Sequence, residues 1–214
     1  MPQFLSTAEP DFEAAFATLL GAKREESPDV ARDVAAILGR VRAEGDAGLV
    51  DLTRRFDRLT LTAGTLAIPE AEVDAAIATV PEVERDALDL AAERIRGYHA
   101  RQMPWDESWT DPEGATLGWR WTPVASAGLY VPGGLAAYPS SVLMNAVPAR
   151  VAGVERLVVT VPTPEGRVNP LVLLACRIAG VDEIYRVGGA QAIGALAYGT
   201  ETIAPVAKVV GPGN

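Results

Sequence analysis

The sequence has very few residues of the kinds that bind metals or form disulfides. Among its 214 residues there is one cysteine, Cys176, and one histidine, His99. A lone cysteine excludes a disulfide within the chain and suits a reducing compartment. A zinc site usually takes three or four His, Cys or carboxylate ligands, so we expect no metal site in this chain. We interpret Cys176 as a small core side chain and His99 as a residue that ends a helix.

The sequence also lacks a basic surplus, a leader segment and a long apolar run. Its 19 Lys and Arg residues face 28 Asp and Glu residues, for a formal net charge of -9. That balance argues against a nucleic-acid or acidic-membrane partner. The start, "MPQFLSTAEPDFE", has no basic or apolar leader region, and the run "LVLLAC" is cut by Arg177. We therefore predict a cytoplasmic protein with no nucleic-acid and no membrane partner.

Three familiar motifs are missing as well. The stretch "GGAQAIG" differs from the G-x-G-x-x-G turn of ordinary dinucleotide sites. No phosphate loop ending in Gly-Lys is present, because the only lysines are Lys23 and Lys208. No serine lies in G-x-S-x-G, which weakens a hydrolase interpretation.

The first half of the chain has the spacing of helices. "DFEAAFATLL" is a short amphipathic segment closed by Gly21, and Pro28 begins a helix that Gly45 interrupts. "LTLTAGTLAIP" suits a strand or extended hairpin, and "MPWDESWTDPEGATLGWRW" is predicted as a loop that leads into a strand. The stretch "PEVERDALDLAAERIRGYHARQ" predicts the longest helix, with one face formed by Val83, Ala87, Ala91, Ile95 and Tyr98.

From about residue 124 the pattern changes to strands that alternate with helices. "VASAGLYV", "RLVVTV", "EIYRV" and "AKVVG" have the character of strands, and the segments between them have that of helices. Such alternation predicts parallel strands with right-handed crossovers. The sequence therefore predicts an α/β protein. A helical region over 1–123, with a short extended segment, precedes an incomplete Rossmann-like parallel-sheet unit over 124–214.

Each predicted strand ends in a loop that contains glycine or proline. These loops are "PGG" (132–134), "PTPEG" (162–166), "GGAQ" (188–191) and "GPGN" (211–214). In a parallel sheet they lie together at the carboxyl edge, where ligands bind. Glycine allows close approach of backbone to ligand, and the helix N-termini behind such loops favour anionic groups. Glycine and proline in any one loop are explained by the end of a strand, but the four loops together favour a nucleotide-binding edge.

Three stretches resemble histidinol dehydrogenase: "GLYVPGGLAAYPSSVLMNAVPARVAGV", "YRVGGAQAIGALAYGTETI" and "KVVGPGN". The likeness continues upstream through "VRAEGDAGLVDLTRRFD" and "AAERIRGYHARQ". Local departures are Trp119, in place of a usual polar residue, and Ala207, in place of an acidic one. The resemblance implies an aldehyde-dehydrogenase-like architecture, and an enzyme that oxidises L-histidinol to L-histidine through the aldehyde with two NAD⁺ and a zinc ion.

The resemblance also implies particular NAD contacts. They are the tyrosine of "GLYVPGG", the glutamine of "GGAQA" and the asparagine of "GPGN", which are Tyr130, Gln191 and Asn214. Their chemistry agrees, because a tyrosine offers a flat face and a hydroxyl, and amides both donate and accept hydrogen bonds. Without the resemblance, each has an ordinary structural interpretation as a strand residue, a helix-start residue and a terminal residue.

The family's zinc ligands, acid-base pair and substrate contacts correspond to no residue of this sequence. The resemblance therefore implies the NAD-side N-terminal portion of a longer, homodimeric dehydrogenase, with no catalytic residue in these 214 positions. Two alternatives stay open. One is a non-catalytic nucleotide-binding or assembly module, and the other is a family relative that oxidises a different alcohol.

Overall fold

The computed structural model describes residues 4–24, 28–132 and 138–212. Two compact units make up the chain, Met1–Ala36 and Ile37–Asn214. In chain order the helices and strands are α1 (Phe12–Arg24), α2 (Pro28–Asp57), α3 (Glu70–Ala78), α4 (Glu82–Ala100), β1 (Glu107–Thr110), β2 (Thr116–Trp119), β3 (Ser126–Tyr130), α5 (Pro139–Val151), β4 (Arg156–Thr160), α6 (Pro170–Ile178), β5 (Glu183–Tyr185), α7 (Gly189–Tyr198) and β6 (Lys208–Val210). Short 3₁₀ turns lie at Ala63–Thr65 and Pro164–Gly166.

The main sheet has the order β5-β4-β3-β6, and every neighbouring pair is parallel. Tyr130 at the end of β3 pairs with Thr160 at the end of β4, which pairs with Tyr185 at the end of β5. The predicted α/β class with parallel strands is confirmed. It follows that the loops after these strands share the carboxyl edge. The boundary between 123 and 124 stays a prediction, and β3 begins just beyond it.

Helices cover both faces of this sheet, because alternate residues of the buried strands point to opposite sides. On β4, Leu157 and Val159 pack with α3, α4, α5 and α6, and we call this the first core. Val158, between them, packs with α7 and with the part of α2 from residue 37, and we call this the second core. The site described below lies at the carboxyl end of the second core.

Two helix predictions are confirmed in outline and corrected in detail. The break predicted at Gly45 is a kink within α2, where this glycine has φ 57° and ψ -133°. The Glu201 carboxylate packs against Gly45 and accepts a hydrogen bond of 2.7 Å from the backbone N–H of Asp46. Helix α1 passes through Gly21 and ends at Arg24, so the predicted stop at this glycine is wrong.

The pair Asn169-Pro170 predicts the start of helix α6, with the asparagine as its cap, and the structure agrees. The side chain of Asn169 accepts a hydrogen bond of 2.9 Å from the backbone N–H of Leu171, and Pro170 is the first helical residue. For α5 the sequence offers Ser140 or Ser141 as the cap and a kink or early end at Pro148, but neither serine caps the helix, which runs from Pro139 through Pro148 to Val151.

Three further predictions for the first half are wrong. The Trp-rich stretch is an antiparallel hairpin of β1 and β2, and not a loop. The predicted strand near residue 65 is a 3₁₀ turn followed by one antiparallel bridge from Ala67 to Tyr185. On α4, Val83 and Tyr98 are exposed, and the face that packs on the first core is formed by Leu88, Ala91, Ala92 and Ile95. In the described parts of the chain, no helix combines the length and hydropathy needed to span a bilayer.

Candidate functional site

The path of the chain creates a switch point at the carboxyl edge of the sheet. From β3 the chain moves to β4 and then to β5, and it returns past β3 to form β6 on the other side. Connections therefore leave in opposite directions on either side of the line between β3 and β6. In open α/β sheets, ligands bind in the crevice at such a point.

An open cleft of about 460 Å³ lies at this switch point. It is bordered by the end of β3, the first turns of α7, and β6 with the two residues that follow it. Its lining residues are Tyr130, Gly189, Ala190, Ile193, Val209, Val210, Gly211 and Pro212. The lining is mostly apolar with one hydroxyl, a composition typical of small-molecule sites.

Tyr130 ends β3 and is half-buried against the second core. Its hydroxyl accepts a hydrogen bond of 3.3 Å from the backbone N–H of Gly189. Gly211 packs closely on the other side, because a Cβ at this position would lie 2.5 Å from the carbonyl oxygen of Tyr130. The hydroxyl of Tyr130 is thus tied to the start of α7, and its backbone packs against Gly211 just after β6.

The two glycines before and at the start of α7 allow this close arrangement. Gly189 has φ +64°, a conformation that L-residues other than glycine rarely adopt. A Cβ on Gly188 would lie 2.5 Å from the Cγ atom of Pro162, so the turn packs directly on the loop after β4. The N-terminus of α7 therefore borders the cleft, and its first N–H groups favour an anionic ligand group.

Gln191 occupies a different place from the one that its predicted role suggests. Its side chain is 1% exposed and is not among the lining residues of the cleft. The carboxamide folds back against Gly189, and its Nε2 atom has no hydrogen-bond partner among the described residues. The structure thus brings Tyr130 to the cleft and puts Gln191 behind the turn. Asn214, the third predicted residue, lies outside the described residues.

Sequence reasoning missed two polar side chains near this edge. Thr160, the last residue of β4, and Thr163, in the loop after it, are each 0% exposed. Neither hydroxyl has a hydrogen-bond partner among the described residues. The available signal was a threonine at the end of the otherwise apolar strand "RLVVTV".

The cysteine and the histidine have the structural surroundings that we expected. Cys176 is 1% exposed in α6, and burial raises the pKa of its thiol to about 12, so the reactive thiolate is disfavoured. His99 packs edge-on against Tyr98 in the last turn of α4. Within the described ranges, no group of three His, Cys, Asp or Glu side chains is arranged to hold a metal ion.

Comparison with known proteins gives one consistent family. The family model for histidinol dehydrogenase matches residues 21–214. The chain is 70% identical to the histidinol dehydrogenase of Cereibacter sphaeroides and 66% identical to that of Ruegeria pomeroyi. Each alignment covers 100% of this chain and 49% of the relative, so the chain spans about half the length of the curated relatives it matches.

A solved structure supports the same family. The crystal structure of histidinol dehydrogenase from Elizabethkingia anophelis superimposes with a TM-score of 0.84 at 35% sequence identity. The match covers 88% of this chain and 43% of that one. Both the sequence and the arrangement of helices and strands therefore agree with the resemblance drawn from the motifs, and the chain belongs to the histidinol dehydrogenase family.

Proposed function

We propose that this chain forms the NAD⁺-binding part of an enzyme that oxidises L-histidinol to L-histidine through the aldehyde, the last steps of histidine biosynthesis. Each of the two oxidations delivers a hydride to one NAD⁺. Family membership supports the reaction. The observation that carries the cofactor assignment is the cleft at the switch point, where the Tyr130 hydroxyl and the N-terminus of α7 meet.

The residues around the cleft fit a dinucleotide. Tyr130 offers a ring face and a hydroxyl, and the first N–H groups of α7 favour the negative charge of a pyrophosphate. The unpaired Nε2 atom of Gln191 is a donor that a ligand or a water can use. We assign Tyr130, Gln191 and Asn214 to cofactor binding. Bound NAD⁺ would supply the hydride acceptor, and these residues would hold and orient it.

Zinc does not fit the described residues, since they contain no matching ligand group. We assign no step to a metal ion here and no catalytic residue to this chain. The 214-residue chain alone should therefore bind NAD⁺ without oxidising L-histidinol. We further infer a cytoplasmic homodimer. A single buried cysteine suits the reducing compartment, and the exposed tryptophans of the β1–β2 region, Trp105 and Trp121 foremost, suit self-association.

Calorimetric titration of the chain with NAD⁺ tests the cofactor assignment. We expect Gln191→Ala to weaken binding by about 1–2 kcal/mol, the effect of one lost hydrogen bond at the turn that borders the cleft. Tyr130→Phe should weaken it by about 1 kcal/mol through loss of the hydroxyl. Tyr198→Phe is the matched control, because this tyrosine ends α7 and lies at the opposite end of the helix from the cleft.

Equal NAD⁺ affinity in wild type, Tyr130→Phe and Gln191→Ala would remove both residues from the site. A loss of affinity in Tyr198→Phe as large as in Tyr130→Phe would show that the effect is a general disturbance of α7.

A further inference from the structure

The buried polar atoms without a partner concentrate at one part of the molecule. Among the described residues, these side-chain atoms belong to Asp57, Thr160, Thr163, Arg186 and Gln191. The last four stand at the end of β4, in the loop after it, directly after β5, and in the first turn of α7. Buried polar groups in folded proteins are generally paired, with protein or with an ordered water. Arg186 donates to Glu72 of α3, on the side of the first core, so Thr160 and Gln191 are the residues whose unpaired atoms point to a further polar atom on the α7 side.

Thr160 has the best-defined position of the group. Its Cα pairs with Tyr130 on one side and with Tyr185 on the other. Paired residues of parallel strands point to the same face of a sheet, and both tyrosines pack on the second core. The Thr160 hydroxyl therefore lies on the α7 side of the sheet, at its carboxyl end.

The turn before α7 contacts two of the residues near this position, Tyr130 and Pro162. The N–H of Gly189 donates to the hydroxyl of Tyr130 on β3, and Gly188 packs on Pro162 after β4. The turn thus contacts the ends of β3 and β4, which are paired there through Tyr130 and Thr160. The Gln191 carboxamide folds back against Gly189 and brings an unpaired Nε2 donor to the same turn.

We propose that Thr160 is a positioning residue for the cofactor, and that its hydroxyl and the Gln191 carboxamide together hold one buried water beneath the Gly188–Gly189 turn. A water offers an acceptor to Nε2 and either bonding role to a hydroxyl. The proposal rests on the proposed function in one respect, since the turn that the water fixes is the one that borders the NAD⁺ cleft.

A water at this position would add a second contact that orders the Gly188–Gly189 turn, besides the hydrogen bond from Gly189 to Tyr130. Two successive glycines lose much conformational freedom when they are ordered, and Gly189 is held at φ +64°. Among the described residues, the hydrogen bond that orders the Gly189 amide is the one to Tyr130, at 3.3 Å. A water fixed by Thr160 and Gln191 would hold the turn from below and present it to the ligand in one conformation.

The test compares Thr160→Val, which removes the hydroxyl at nearly constant volume, with Thr160→Ser, which keeps it. Thr53→Val is the control, because Thr53 is equally buried but donates its own hydrogen bond, 2.8 Å, to the carbonyl of Leu49. Three quantities are measured on the full chain: NAD⁺ affinity by calorimetry, hydrogen exchange of the Gly189 amide without NAD⁺, and thermal unfolding.

We expect Thr160→Val to bind NAD⁺ about five- to tenfold more weakly and to exchange the Gly189 amide faster, with little loss of thermal stability. Thr160→Ser should stay within about twofold of wild type in both, and Thr53→Val should leave both unchanged.

Wild-type NAD⁺ affinity and wild-type exchange in Thr160→Val would overturn the positioning role while leaving the proposed function intact. If wild type itself bound no NAD⁺, the proposed function would fail first. Unchanged Gly189 exchange in Thr160→Val would then separately refute the anchoring of the turn.

Discussion

Among single residues, Asp57 has the surroundings that fit its chemistry least. It ends α2, where the helix dipole is negative, and one carboxylate oxygen is buried without a partner among the described residues. Burial raises the pKa of this carboxyl above its usual range. Both effects disfavour the charged form, so the folded protein carries a penalty at neutral pH.

We expect Asp57→Asn to stabilise the protein by about 0.5–1 kcal/mol at neutral pH, a value reduced for solvent screening because the side chain is only partly buried. Because the pKa of Asp57 is raised on folding, the penalty is present above that pKa and disappears as the pH falls through it. The gain should therefore shrink in acid. Denaturant titration at several pH values measures it.

The control for Asp57→Asn is Asp86→Asn, which changes an exposed carboxylate on α4 and should have almost no effect. A loss of stability in Asp57→Asn would mean that the carboxylate has a favourable partner, and would contradict this interpretation.

At single positions, the sequence predicts which side chains lie at a strand end better than it predicts how buried polar side chains are hydrogen-bonded. The position of Tyr130 at the cleft follows from the sequence, because a motif and a strand end coincide at it, while its role in binding stays a prediction. Thr160 was not singled out, because the sequence pattern of an apolar strand does not show whether a threonine hydroxyl within it has a hydrogen-bond partner. The resemblance implies a role for Gln191 that stays a prediction, and its burial behind the turn depends on the φ of Gly189, which only the fold determines.

At the scale of elements, an ion pair joins the first residue of β4 to the first residue of β5, in addition to the backbone pairing of these strands. The guanidinium of Arg156 donates to Glu183 at 2.6 Å, and the Tyr185 hydroxyl donates to the same carboxylate at 2.7 Å. The hydrogen bond from Arg156, with that from Tyr185, holds the pKa of Glu183 below its ordinary value of 4.5. The ion pair of Arg156 and Glu183 lies at the amino end of the strands, away from the cleft.

The lowered pKa of Glu183 predicts a pH dependence of stability. The stabilisation is present above the unfolded-state pKa and is lost as the pH falls through the lower folded-state pKa. Wild type should therefore lose stability below about pH 4.5, and Glu183→Gln should show a flatter decline. At neutral pH the variant should be less stable by about 0.5–1 kcal/mol, as for a partly exposed pair.

Thermal unfolding between neutral and acidic pH checks this, with Glu165→Gln as the control. Glu165 pairs with Arg167 at 3.0 Å, but both side chains are largely exposed. Equal pH profiles for wild type and Glu183→Gln would contradict a role for the β4–β5 ion pair.

The elements that the sequence failed to predict are those with the least burial. Strands β1 and β2 are exposed along their whole length, so no alternation of apolar and polar residues marks them. Their hairpin depends instead on local turn chemistry, in which Asp111 accepts from the N–H of Ala115 and Gly114 has φ +89°. Val83 of α4 has helical spacing, but the first turn of this helix does not reach the first core.

For the whole molecule, the parallel sheet was predictable because buried strands and glycine-rich turns alternate regularly along the chain. The strand order was not predictable from the same pattern, and this order decides where the site lies. With β6 beside β3, the switch point falls at Tyr130 and Gly189. A different order would have separated these residues across the edge of the sheet.

A prediction for the whole molecule concerns catalysis. The 214-residue chain alone should not oxidise L-histidinol, with or without added zinc. Alcohol oxidation of this kind needs a group that positions and polarises the substrate and a base that removes protons, and one histidine and one cysteine provide few candidates. The assay follows NADH absorbance with purified chain, L-histidinol, zinc and excess NAD⁺. Turnover above a mock purification, abolished by Gln191→Ala, would refute this.

The most direct test of the central claim, that the switch-point cleft binds NAD⁺, is an amide-resolved NMR titration of the chain with NAD⁺. A second cleft of about 310 Å³, lined in part by Ala67, Val73 and Val181, lies beside β5 and provides an internal comparison. The claim predicts saturable shifts at the amides of Gly189 and Gly211, with the residues of the second cleft unmoved. Shifts centred on the second cleft, or no saturable shift at Gly189 and Gly211, would contradict it.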